Sequence, residues 1–215
     1  MALSKTQRYT YATGHFLNDL CAALWFTYLL LFLKKVIGFS SKDAGTLFLI
    51  GQCADGLGGP LISYIIDKFS IVKFYPRRKG WHLFGTVLVS VCFLFVLSKP
   101  AFGMDGTIYY YMTFIIVFQW GWAFVQLSHL SLIPCLGETD REREDLNSKR
   151  YGMMNVAFMG VYVISFIKFR QVTDCTINEQ TAPHFSTITY GWVRNFDIMK
   201  NSEFMKTIDV NTKFR

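Results

Sequence analysis

The sequence predicts an all-α integral membrane protein with about five transmembrane helices, and three observations carry that prediction. First, 52% of its 215 residues are hydrophobic and the mean hydropathy is +0.27; those residues gather in long runs rather than spreading through the chain. Second, the runs match a hydrocarbon core of about 30 Å at about 1.5 Å rise per residue. Third, two of them carry a carboxylate in mid-run, Asp19 and Asp55. An ionised group at that depth costs about 2.5–3.5 kcal/mol on insertion scales, so a chain needing only anchorage would place Leu there. A polar pathway through a helix bundle is the reading this favours.

The expected spans are 9–33, 44–66, 80–98, 107–136 and 151–167, and the last three contain no Asp, Glu, Lys or Arg. The first run is too long for a cleavable signal, and His15, Asn18 and Asp19 interrupt it. Ile37 to Ser41 breaks helix one from helix two, with Ser40 or Ser41 placed to cap the second. Pro76 lies in the next link, and Pro100, Gly103 and Gly106 in the one after. Pro134 should kink or end the fourth run. The stretch Glu138–Asp145 alternates charge and reads as a solvated helix held by pairs one turn apart. Residues 1–170 therefore form one helical bundle, and 171–215 a polar tail without periodicity that stands apart from it.

Net charge is +7, but its placement reads as topology, not a nucleic-acid footprint. Lys5, Arg8, Lys68, Lys73, Arg77, Arg78, Lys79, Arg141, Arg143, Lys149 and Arg150 fall on one side of the expected membrane. Lys34, Lys35, Lys42 and Lys99 fall on the other. The basic side marks the cytosol and anionic lipid, which places the N-terminus there. Five spans would put the tail across the membrane despite its own basic residues. The five cysteines show no metal-ligand or disulfide spacing, no cofactor motif is present, and no catalytic elbow or HxxxH pair occurs. An enzyme is not expected.

His15, Asn18 and Asp19 are spaced to share one helix face. An imidazole and a carboxylate one turn apart can share a proton or meet a substrate ammonium. Gln52 and Asp55 sit one turn apart amid Gly51, Ala54, Gly58 and Gly59, which permit close helix approach. Pro60 frees a carbonyl that a cation or water could use. His82 and His129, taken singly, read as interface residues or as direct participants, and Gln119 and Gln126 as groups lining a cavity.

These motifs carry a resemblance. Gly14-His-Phe-Leu-Asn-Asp19, Gly45 to Asp55 with Pro60, Asp67 with Arg77-Arg78-Lys79, and Ser131-Leu-Ile-Pro134 followed by Asp140-Arg-Glu-Arg-Glu and Leu146 to Tyr151 resemble the major facilitator superfamily. They resemble in particular its melibiose-type sugar–cation symporter branch. Gly14 to Ala22, Trp25 to Leu31 and His129 to Pro134 are also similar to animal lysosomal and melanosomal cysteine importers of that superfamily. The resemblance implies the N-terminal half of a two-half carrier, with the second half lacking, and alternating access between halves. It implies a substrate site at His15, Asn18, Asp19, Gln126 and His129, and cation or proton coupling at Asp55 and Gln52. A cytosolic gating loop would comprise Asp67, Arg77, Arg78 and Lys79.

Two departures bear on the substrate. Gly59 and Gln126 stand where the sugar symporters have acids, which favours H⁺ over Na⁺ and a zwitterionic solute such as cysteine over a sugar. A residue to meet the solute carboxylate is missing from the apolar runs. The implied compartment is the lysosomal or melanosomal membrane, with the plasma membrane as the alternative. Lacking a second half, the chain is also expected to bind the full-length carrier or a second half-bundle, as a protein that does not itself transport.

Overall fold

The computed structural model describes residues 3–71, 76–100 and 103–170. The expected tail, 171–215, lies outside the described residues. Within them the chain is helical throughout, and the expected runs become five long helical units.

The first unit is a broken one. It consists of α1 (Lys5–Thr13), α2 (Phe16–Leu24), a π-helical stretch over Trp25–Leu29, and α3 (Leu30–Lys35). Ser4 and Gln7 close a reciprocal capping box at its start, with Gln7 N donating to Ser4 Oγ and Ser4 N to Gln7 Oε1. The break falls at Gly14-His15, directly before the triad. Thr13 Oγ1 bonds back to the Thr10 carbonyl at 3.0 Å, and such back-bonding competes with the helical ladder. The single continuous helix expected here is therefore two, and His15 stands at the joint. At the far end Gly38 adopts φ +89°, a conformation costly for any residue with a Cβ. The Phe39 amide there reaches back to the Leu33 carbonyl and closes the helix.

Helix α4 (Ser41–Lys68) starts at Ser40, whose Oγ accepts the Asp43 amide at 3.1 Å. It runs through Pro60 without ending. Its glycines decide how it seats: a Cβ at Gly51 would meet the Trp25 ring at 2.8 Å, and one at Gly58 would meet Trp120 at 2.8 Å. Helices α5 (Arg77–Val96) and α6 (Met104–Leu130) form the tightest pair, since a Cβ at Gly85 would fall 2.7 Å from Phe124 Cβ and 2.9 Å from the Gly121 carbonyl. A stack of Phe93, Phe118, Trp25 and Phe48 rings ties α5, α6, the π-helical stretch and α4 together.

Two boundaries differ from expectation. The fourth run stops at Leu130, one turn ahead of Pro134, because proline offers no amide to the Leu130 carbonyl and its ring crowds that oxygen. A short α7 (Ile133–Leu136) follows. The charged segment and the fifth run are not separate: α8 spans Asp140–Arg170 as one helix.

Four units are long and apolar enough to cross a membrane: Lys5–Lys35, Arg77–Val96, Gly106–Leu136 and Asp140–Ile167. Helix α4, at 28 residues, has the length as well, but Gln52, Asp55, Pro60 and its glycines dilute its apolar content. Leu57 and Leu61 on α4, Val87 and Val91 on α5, and Val156 and Phe166 on α8 all point outward. Large exposed aliphatic faces around a polar centre invert the soluble pattern and suit a bilayer.

Candidate functional site

At the joint of the first unit the polar side chains converge. His15, Asn18 and Asp19 are all buried. His15 Nδ1 lies 2.9 Å from Asp19 Oδ1, and Asn18 Nδ2 lies 3.3 Å from His15 Nε2. An amide nitrogen can only donate, so His15 Nε2 accepts and is bare. The single ring proton then sits on Nδ1 and is donated to the carboxylate.

Other helices complete the cluster. His129, on the last turn of α6, stacks on Tyr11 with ring centroids 4.3 Å apart. Its ring lies 5.3 Å from that of His15 and 5.6 Å from that of His82 on α5. The Tyr11 hydroxyl donates to the His129 carbonyl at 3.3 Å. Arg150 of α8 is 7% exposed, acts electrostatically on both Tyr11 and His129, and stacks over the Tyr151 ring at 4.5 Å. The apolar runs themselves hold no Arg or Lys, as expected from the sequence, but Arg150, one residue before the fifth run, is buried in the bundle. Arg150, counted with the cytosolic charges, belongs to the buried stripe of α8 with Leu146, Ala157, Val161 and Ser165. That stripe follows helical spacing and was available in the sequence.

Several buried atoms here have no hydrogen-bond partner among the described residues: Asn18 Oδ1, Asp19 Oδ2, His82 Nε2, both ring nitrogens of His129 and Arg150 Nε. Each such group costs about 1–3 kcal/mol. Their concentration marks a polar cluster inside the bundle that includes both an acid, Asp19, and a base, Arg150.

The remaining expected residues lie elsewhere. Gln126 is engaged by its own helix, with Trp122 Nε1 donating to Gln126 Oε1 at 2.6 Å. Asp55 is exposed and Gln52 half-buried, and Asp55 has no polar partner among the described residues. It lies one turn from Gly51 and Gly58, whose Cα positions are closed by the Trp25 and Trp120 rings. Asp67 and Arg77 are exposed and do not pair with one another. Arg78 reaches the Ser131 carbonyl at 2.5 Å and Cys135 Sγ at 2.8 Å, bracing the turn between α6 and α7. Lys79 is half-buried near the start of α5. On the same end of the bundle a second brace appears that spacing alone did not suggest. Arg8 meets Asp145 at 2.7 Å and Glu142 at 3.7 Å, while Lys149 also pairs with Asp145.

A helical bundle with apolar outer faces and a buried polar cluster drawn from α1, α2, α5, α6 and α8 defines an integral, multi-pass membrane protein. Comparison with known proteins places it further. Residues 10–190 match the family described as MFS/sugar transport protein. Major facilitator superfamily domain-containing protein 12 of Mus musculus is 51% identical over 166 residues, covering 74% of this chain and 34% of that protein. The protein of the same name from Homo sapiens is 49% identical over 167 residues, covering 74% and 35%. The isoprimeverose transporter of Lactiplantibacillus pentosus is 28% identical over 165 residues, covering 75% and 33%. The chain belongs to the MFS/sugar transport protein family of the major facilitator superfamily, a family of carriers and not of enzymes. It spans about a third of the length of these relatives.

Proposed function

We propose that this chain supplies the N-terminal solute site of a secondary transporter that moves a small zwitterionic amino acid, cysteine in particular, with a proton as the coupling ion. One observation carries the reading: a carboxylate and a guanidinium are both buried beside the histidine cluster, Asp19 bonded to His15 and Arg150 next to His129. Asp19 suits an ammonium group and Arg150 a carboxylate, the two ends of an amino acid. Asn18 and the histidines supply hydrogen bonds between them. A neutral disaccharide makes no use of an unpaired buried guanidinium. Gly59 and Gln126, uncharged where the sugar symporters carry acids, remove the field that would hold Na⁺ and favour H⁺. By the same resemblance the membrane is lysosomal or melanosomal, with the N-terminus in the cytosol.

The test is binding of labelled cysteine to this chain in lipid nanodiscs. Asp19→Asn and Arg150→Gln should each weaken binding at least tenfold, about 1.4 kcal/mol apiece. Displacement by a disaccharide, with cysteine inert, would move the assignment to sugar–cation symport.

The exposed Leu49, Leu57, Leu61 and Tyr64 along α4 support a second reading, in which the chain binds the full-length carrier or another half-bundle without transporting. Uptake into vesicles holding only this chain, compared with its Asp55→Asn variant, separates the two. Equal uptake in both supports the partner-binding role.

A further inference from the structure

We propose that the proton-binding position of this bundle is His15 Nε2, that the Asn18 amide is the switch which accommodates the proton there, and that His129 and His82 form the relay that delivers it. The inference rests on the reading of the His15–Asp19 cluster as a transport site, and it moves the proton away from Asp55.

The geometry admits two states of one side-chain pair. At present Asn18 Nδ2 donates to a bare His15 Nε2 at 3.3 Å, while Nδ1 faces Asp19 Oδ1 at 2.9 Å. A proton arriving at Nε2 would set two donors against each other. Half a turn of the Asn18 amide replaces the nitrogen by Oδ1, which then accepts the new N–H. That turn sacrifices no bond of Oδ1, because Oδ1 is buried and has no partner among the described residues. The imidazolium so formed lies between the Asp19 carboxylate and the Asn18 oxygen, with its charge balanced and both N–H groups satisfied.

The route is built from three helices. His82 on α5 is half-buried, and its Nε2 has no partner among the described residues. The His129 ring neighbours both others, 5.6 Å from His82 and 5.3 Å from His15, with both nitrogens unpartnered in the same sense. A ring rotation or one bridging water closes each gap. The transfer balances as a shift of one excess proton: the half-buried His82 takes it from water and passes it to one His129 nitrogen, while the N–H on the other His129 nitrogen is released to the His15 Nε2 lone pair, so that His82 and His129 both end neutral. The groups facing the unit are Tyr11 from α1, Asp19 from α2, His82 from α5, His129 from α6 and Arg150 from α8. With Arg150 already positive beside His129, the unit holds one proton at a time.

The experiment is ¹⁵N-histidine NMR of this chain in lipid nanodiscs, recorded from acidic to neutral pH. The His15 Nε2 signal should pass between its bare and protonated forms across that range, and the Asn18 side-chain amide signal should switch with it. Asn18→Asp, which offers oxygen on both sides, should abolish the bare Nε2 signal at neutral pH. His129→Phe, which keeps the stack on Tyr11, should leave both end states and slow their interconversion at least tenfold. An unswitching Asn18 amide in the unaltered chain, or a His15 spectrum identical in Asn18→Asp, overturns the proposal. Cysteine binding measured on the same samples keeps the two readings apart. Binding with an inert His15 sinks this inference alone, and a switching His15 without binding sinks only the solute assignment.

Discussion

The two mid-span carboxylates of this chain occupy opposite situations. Asp19 is 4% exposed, hydrogen-bonded to His15, and surrounded by groups from α5, α6 and α8. Asp55 is exposed on α4, with nothing polar beside it among the described residues. In sequence they look equivalent, each an acid in an apolar run of membrane length. The difference shows that depth along a helix is only half of a residue's environment. The other half is the angular position relative to neighbours, and whether those neighbours bring compensating charge. A buried acid must be paired to be tolerated, so Asp19 is woven into the fold. An exposed acid without a partner among the described residues adds little to the stability of the fold, so Asp55 is not tied to it as Asp19 is.

The sharpest break of this contrast is Asp19→Ala against Asp55→Ala. The first strands His15 Nδ1–H in the interior and should cost about 3 kcal/mol. The second should stay within about 0.5 kcal/mol. Denaturant titration of helicity in mixed micelles reads both, and equal losses would erase the distinction. Asp19→Asn should fall between, since it keeps an oxygen for His15 while discarding the charge. Near-native stability with lost cysteine binding is its expected signature.

The glycines of α4 sharpen the same comparison at smaller scale. Gly58→Ala pushes a methyl group against the Trp120 ring, a clash that the half-exposed indole relieves by shifting, for about 1 kcal/mol of destabilisation. Gly56→Ala and Gly59→Ala meet nothing within 4 Å and should stabilise the helix by about 0.5–1 kcal/mol. The same unfolding titration checks all three, and the sign change between neighbouring glycines is the observable. Smallest of all, Arg8→Gln opens the brace to Asp145 and Glu142. Being part-exposed, that brace should be worth about 0.2–1 kcal/mol and should vanish at high salt.

Much of this was legible beforehand because it is local. Apolar runs specify helices without help from the rest of the chain, and Ser40 and Gly38 carry their capping and turn chemistry in their own side chains or lack of one. The His15, Asn18 and Asp19 grouping followed from the pitch of a helix, even though the break at Gly14 moved its boundary. The burial of Arg150 was hidden for a physical reason: Arg141, Arg143 and Lys149 stand beside it in the chain, and proximity in sequence outweighed the helical spacing that turns it inward. His82 was left as a lone interface residue because nothing near it in the chain is titratable and apolar-embedded at once.

The sequence by itself determined a helical membrane bundle, its polar first unit and its family, since hydrophobic length, helical pitch and short motifs are properties of contiguous residues. Only the tertiary structure decided that Asp19 is sealed while Asp55 is open, and that His15, His82, His129 and Arg150 share one cluster. Those facts depend on how close and at what rotation α5, α6 and α8 pack against the first unit. Close backbone approach at Gly85 and Gly121 sets that packing, and no single segment encodes it.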